Sequence, residues 1–347
     1  MTSGAATARI VGLGVVLCGA LLLVASYAQT DSDFDKGMAE FRSGNFASAV
    51  SFLERGEGNS PGKTDALLYE AKALVHLENF MAAEDALRRY LATHADSSDA
   101  LYMLGFVLNR QNRAAESLRT YTQAAALSPP TGDDLKIVGL DYVLLDDYAD
   151  AIKWLEKAVE RDARSADSWY YLGRAYYTKA RRDDARKAFL TVLEIDPHNV
   201  KAKNNLGLIL ETDGQAGAAL EAYRTAIAWQ EESLHPSEQP YVNLGNLLME
   251  QGQTKDAMPA LQRAVAIAPN NAYCRMTLGV AHRQLGQMQD AQRELEKATQ
   301  LEPDNAKAHY QLGRLYKDLH QFDRAQAEFK RTADLQAQAS GAAPSNR

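Results

Sequence analysis

Cysteine is almost absent. Cys18 and Cys274 are the only two among 347 residues, so no disulfide framework holds the chain, and no CxxC pair offers redox or zinc chemistry. Cys274 follows Tyr273 near the start of a helical pattern, where a small hydrophobe at a helix seam accounts for it. Catalytic signatures are missing too. There is no GxSxG, no GxxxxGK(S/T), no HExxH and no GxGxxG behind a strand. The seven histidines (His76, His94, His198, His235, His282, His309 and His320) are scattered, without metal-ligand spacing. Basic blocks are lacking as well: 38 Lys and Arg stand against 45 Asp and Glu, a net charge of −7, which makes nucleic acid a poor partner. No catalytic, cofactor-binding or metal-binding set is therefore predicted, and no enzyme.

The beginning of the chain lacks charge. Arg9 is the only charged residue before position 29, Val11–Ala25 is apolar, and Ser26-Tyr27-Ala28 offers small residues for a cut ahead of Gln29. Residues 1–28 read as a signal peptide. The 19-residue run Ile10–Ala28 is also long enough to remain as a membrane anchor, the only membrane contact expected. Either way Arg9 stays on the cytoplasmic side and the rest is exported, to the periplasm or another extracytoplasmic space. Leu17 before Cys18 argues against lipidation.

What the chain has in abundance is periodicity. Ala166–Asn199 reads ADSWYYLGRAYYTKARRDDARKAFLTVLEIDPHN, marked by Trp169, Leu172, Gly173, Tyr176, Ala185, Phe189 and Pro197. The same 34-residue frame gives nine repeats: 30–63, 64–97, 98–131, 132–165, 166–199, 200–237, 238–271, 272–305 and 306–339. Position 8 is Gly37, Ala71, Gly105, Gly139, Gly173, Gly207, Gly245, Gly279 and Gly313. Position 20 is alanine in every repeat except for Ser117, and position 24 is Leu53, Leu87, Tyr121, Leu155, Phe189, Tyr223, Leu261, Leu295 and Phe329. Pro61, Pro129, Pro197, Pro269 and Pro303 close five repeats, since proline cannot continue a helix. Gly44, Gly214, Gly252 and Gly286 fall where the first helix stops. Asp147, Asp183, Asp184 and Asp290 are placed to cap second helices.

This pattern resembles the tetratricopeptide repeat (TPR), a helix–turn–helix unit that must stack on its neighbours to bury its apolar face. The resemblance implies an all-α fold, an α-solenoid or right-handed superhelix of about nine helix pairs, followed by a disordered tail at 340–347. One insertion interrupts the frame: WQEESLHPSEQP, from Trp229 to Pro240, lengthens the sixth repeat by about one helical turn. It reads as a loop, with a joint between repeats six and seven, or a docking edge, as the other readings. At the far end Gln292 and Gln326 replace apolar residues, so the last helix can face water as a cap.

The resemblance also implies a concave groove lined by positions 2, 5, 9, 12 and 13 of each first helix. Position 2 carries Asp31, Asp65, Asp99, Asp133 and Asp167, which suit helix starts. The other positions hold Arg42, Lys72, Arg110, Lys136, Arg174, Arg283, Arg314 and Lys317 against Glu211, Glu250 and Asp318. Aromatics share that face, so the groove is expected to hold a partner segment with carboxylates and apolar anchors. Candidate peptide-binding residues are Tyr102, Phe106, Arg110, Tyr170, Arg174, Tyr177, Asn205, Asn243, Asn246, Arg283, Tyr310 and Arg314. Asn205 and Asn243 form two rungs that resemble the asparagine ladder in the TPR region of a protein glycosyltransferase. The expected function is a non-catalytic protein–protein interaction scaffold in envelope assembly or secretion. A self-associating structural protein, or an accessory subunit of an exported or membrane-bound enzyme complex, is the alternative.

Overall fold

The structure, a computed structural model, describes residues 33–56 and 65–339. Residues 1–28, read above as a signal peptide or membrane anchor, lie outside the described residues, as do Asp31, Pro61 and residues 340–347. Among those described, the chain is all helix and loop, an α-solenoid that divides into two compact units between Lys179 and Ala180.

The first unit contains α1 (33–42), α2 (Phe46–Gly56), α3 (Asp65–His76), α4 (Phe80–Leu91) and α5 (Ser98–Arg110). It continues with α6 (Ala114–Leu127), α7 (Gly132–Leu144), α8 (Tyr148–Arg161) and α9 (Ala166–Thr178). The second opens with α10 (Arg182–Ile195), α11 (Val200–Thr212), α12 (Ala216–Trp229), α13 (Gln239–Glu250) and α14 (Thr254–Ile267). It closes with α15 (Ala272–Gln284), α16 (Met288–Leu301), α17 (Ala306–Asp318) and α18 (Phe322–Ala339). Every second helix opens at position 17 of its frame. Within each unit a helix packs on the one before it and the one after, and α5 on α7, α7 on α9, α11 on α13, α13 on α15 and α15 on α17 pack as well.

The contact that closes a helix pair is steric. A Cβ added to Gly245 would lie 2.3 Å from Leu261 Cδ2, and one on Gly207 would lie 2.4 Å from Tyr223 Cε1. The missing side chain at position 8 is thus the socket for position 24, and both Leu261 and Tyr223 are fully buried. Position 20 fills the remaining space: Ala219 and Ala257 are fully buried, and Ser117 donates its hydroxyl to the Gly105 carbonyl at 2.8 Å.

The turn at position 15 is left-handed in all nine repeats. Gly44, Gly214, Gly252 and Gly286 adopt it, as expected, but so do Glu78, Asn112, Asp146, Ala180 and His320, with φ of 56–60°. A left-handed residue with a side chain costs about 1–2 kcal/mol, so helix packing enforces this turn where glycine does not supply it. A Cβ on Gly286 would meet nothing within 4 Å. Gly286→Ala is therefore expected to lower stability by about 1 kcal/mol through φ alone, and Glu78→Gly to raise it by a smaller amount. Equilibrium urea unfolding of both variants checks the pair.

The caps differ from the sequence reading. Asp147 does cap α8, accepting from the Asp150 N–H at 3.2 Å. Asp183, Asp184 and Asp290 instead lie inside the first turns of α10 and α16, whose N-caps Arg181 and Gln287 make no side-chain cap bond. Asp184 pairs with Arg181 at 2.8 Å and Asp290 with Arg293 at 2.9 Å. Most side-chain caps serve first helices from position 34: Ser97, Ser165, Asn199, Asn271 and Asn305, and Thr131 in a reciprocal capping box with Asp134. These residues satisfy the backbone N–H groups that an isolated helix start leaves open.

The insertion in repeat six is a loop and not a joint. Across it Tyr223 of α12 packs in one core with Leu244, Leu247 and Leu248 of α13. Gln230, 4% exposed, clips the loop shut: its amide donates to the Ser237 carbonyl and accepts from the Ser237 N–H, each at 2.8 Å. At the end of the second unit Gln326, Lys330 and Asp334 of α18 are exposed, the polar outer face a last helix needs.

Candidate functional site

In the first unit α3, α5 and α7 line a cleft of about 640 Å³. Tyr102, Met103, Phe106 and Ile137 are among its apolar lining, and two of the predicted groove residues, Tyr102 and Phe106, therefore come together there. Tyr102 is held in place: its hydroxyl donates to the Ser128 carbonyl at 2.5 Å and its ring lies 5.8 Å from that of Tyr121. Burial first, and the Asp134 carboxylate second, raise the Tyr102 phenol above its ordinary range, so it stays a neutral donor. Phe106 meets Phe80 edge to face at 6.3 Å, and Arg110 lies 5.1 Å above the Phe80 ring. On α9 Tyr170 meets Tyr171 edge to face at 5.5 Å, with Arg174 6.0 Å from the Tyr170 centroid. Tyr177 is half-buried on the same helix.

The charges around the cleft are not the basic set expected. Lys136 is committed to Asp133 at 2.7 Å, and Lys72 sits 4.8 Å over the Tyr69 ring. Asp99, Asp133 and Asp134 also line the cleft, so its carboxylates outnumber its two lysines.

In the second unit the predicted asparagine ladder is taken up internally. Asn243 is 7% exposed, donates to Asn204 Oδ1 at 2.9 Å and accepts from Gln239 at 3.2 Å. Asn205 turns back to donate to the Lys201 carbonyl at 2.7 Å. These two amides brace helices and present no paired rungs to a peptide. Asn246 bonds the Tyr273 hydroxyl at 2.9 Å, and Arg283 is paired with Asp318 at 2.9 Å. Tyr310 remains 44% exposed with Arg314 5.9 Å from its centroid, which leaves an open aromatic–cation pair on α17.

Two features escaped the sequence reading, and a third, Cys274, matches it. Asn109 of α5 donates to Oδ1 of the fully buried Asp141 of α7 at 2.8 Å, a polar tie between neighbouring first helices inside the core. Burial pushes that carboxyl up to about 6. Position 4 carries a recurring donor: Trp169 to the Ala163 carbonyl, Arg275 to Pro269 and His309 to Pro303, at 3.0, 2.6 and 3.0 Å. Three different side chains thus pin a first helix to position 32 of the repeat before it. Cys274 is 1% exposed and burial, then the charge of Glu238, pushes its thiol up to about 12, an unreactive packing residue at neutral pH. Among the described residues no group of three or more His, Cys, Asp or Glu is placed to hold a metal.

Comparison with known proteins agrees with this architecture. Models described as "Tetratricopeptide repeat" match residues 68–130, 143–209, 200–233, 248–299 and 282–343. Anaphase-promoting complex subunit 3 of Schizosaccharomyces pombe is 23% identical over 249 residues, 72% of this chain and 37% of that protein. BBSome complex member BBS4 of Bos taurus is 24% identical over 210 residues, 59% of this chain and 40% of that one. The cytochrome c-type biogenesis protein CycH of Pseudomonas aeruginosa is 30% identical over 125 residues, 36% of this chain and 30% of that one. The chain thus spans 40% or less of the length of these relatives. Among solved structures, a TPR protein from Parabacteroides merdae aligns with a TM-score of 0.60 at 16% identity, over 73% of this chain and 98% of that one. The Cut9–Hcn1 hetero-tetramer of the APC/C aligns at 0.58 and 16% identity, over 83% of this chain and 55% of that one. With its helix pairs closed at positions 8, 20 and 24 and models of one repeat type matching along both units, the chain belongs to the tetratricopeptide repeat family.

Proposed function

We propose that this protein is a non-catalytic interaction scaffold that holds a segment of a partner protein on the inner face of its first helices. The observation that carries the reading is the α3–α5–α7 cleft, whose aromatic floor is fixed by the Tyr102–Ser128 bond before any partner arrives. A pre-formed apolar cleft lowers the ordering cost of binding. The relatives support the class: two are subunits of multiprotein complexes by name and a third is a biogenesis factor. The charge-poor segment 1–28 supports work beyond a membrane, in envelope assembly or secretion.

The test is affinity capture from a cross-linked membrane fraction, with the captured partner then titrated against purified protein. Tyr102→Ala with Tyr170→Ala is expected to weaken binding at least tenfold while helicity stays near wild type and the melting temperature falls by what the lost Tyr102–Ser128 bond and ring packing contribute. Unchanged binding by a fully folded double variant would remove the groove from the account.

A further inference from the structure

We propose that the cleft on α3, α5 and α7 selects a partner segment in which an aromatic or branched aliphatic side chain is followed closely by Lys or Arg. This rests on the scaffold reading and reverses the charge that the groove positions suggest in sequence.

The apolar half of the argument is shape. Tyr102, Phe106 and Ile137 line a cleft of about 640 Å³, within the range of pockets that bury a ligand side chain, and Met103 beside them can adapt to its outline. Tyr102 has already spent its hydroxyl proton on Ser128, so the floor offers its ring and not a donor. The cleft therefore asks for an apolar anchor.

The charged half is a matter of which groups are still unspent. Lys136 is 15% exposed and neutralised by Asp133, and Lys72 rests on the Tyr69 ring. Asp134 accepts from the Thr131 N–H and hydroxyl at 2.8 and 2.6 Å. Asp99 is exposed and has no ion-pair or hydrogen-bond partner among the described residues, and Asp133 keeps 78% of its side chain in solvent. A cation arriving next to the apolar anchor meets Asp99 without having to displace an existing partner. A carboxylate there would face three aspartates against two lysines, one of them already paired with Asp133. The chain's net charge of −7 steers in the same direction.

The probe is a random 12-residue peptide library displayed on phage and selected against the full chain. Enriched peptides are expected to carry an aromatic or branched aliphatic residue with Lys or Arg within four positions. As synthetic peptides they should lose at least tenfold in affinity on Asp99→Lys, and again on Phe106→Ala, but not on Tyr310→Ala. Asp99→Lys, at an exposed position, keeps the test independent of folding. Enrichment of acidic peptides that compete for the cleft would overturn the charge assignment and leave the scaffold standing. Enriched peptides insensitive to Asp99→Lys and Phe106→Ala but lost on Tyr310→Ala would overturn the location and again leave the scaffold. A selection that enriches nothing would overturn the proposal, and the Tyr102→Ala/Tyr170→Ala capture then decides the scaffold reading by itself.

Discussion

Asp141→Asn is expected to make the protein more stable, by up to about 3 kcal/mol above pH 7. Burial holds the folded Asp141 carboxyl at about 6, against 3.8 for an unhindered aspartate, so the folded state keeps a proton that the unfolded chain has already released. Stability from this group is fully present below pH 4, declines as pH rises through 4 to 6, and is absent above. Asparagine is neutral at every pH and retains the carbonyl that accepts from Asn109. Oδ2 of Asp141 has no hydrogen-bond partner, so an amide in its place breaks no bond. The gain of the variant should shrink steadily as pH is lowered from 7 to 4. Urea midpoints of both proteins across that range, read from tryptophan fluorescence and localised by amide exchange in α5 and α7, check it. A variant less stable than wild type at pH 8 would mean that the carboxylate is a net support.

The second large effect belongs to Tyr223. Its ring is fully buried, it fills the socket left by Gly207, and its hydroxyl donates to Glu211 at 2.6 Å. Truncation leaves an aromatic-sized cavity between α11, α12 and α13, so Tyr223→Ala is expected to cost about 3–5 kcal/mol. Tyr223→Phe keeps the ring and removes only the bond to a carboxylate, at a cost of about 1.5–3 kcal/mol. Urea unfolding of the two variants separates packing from hydrogen bonding.

The fold is legible in one dimension because the closing contacts repeat in one dimension. Positions 8, 20 and 24 are small, small and large in each unit, and those residues do meet. The turn is less so: Asn112, Asp146 and His320 are of types that adopt a left-handed backbone more readily than most, but Glu78 and Ala180 carry no such mark, and there the neighbours impose it. The cap residues at position 34 were equally visible in sequence, but serine and asparagine before a first helix carry less signal than a run of aspartates before a second.

The candidate site reads poorly for a geometric reason. Neighbouring residues on a helix point about 100° apart, so Asn204 and Asn205 face different surroundings, and it is Asn204 that reaches Asn243. The excess of basic groove residues is partly taken up, since Arg283 finds Asp318 once α15 and α17 stack, and Lys136 pairs with Asp133 one turn back on its own helix. Asp141 did leave a signal, a charge in phase with the buried Ile137 and Val138, as Asn109 does beside Val107 and Leu108.

The socket itself is open to one direct measurement, the double-mutant cycle of Gly207→Ala and Tyr223→Ala by equilibrium unfolding. In the wild-type background Gly207→Ala places a methyl 2.4 Å from the Tyr223 ring and should cost about 1–3 kcal/mol, although alanine is the better helix former. With Tyr223 truncated the same change should be neutral or stabilising by up to about 1 kcal/mol, a coupling of about 1–3 kcal/mol. Additive effects, within about 0.5 kcal/mol, would show that the helix pair closes without the contact on which this account is built.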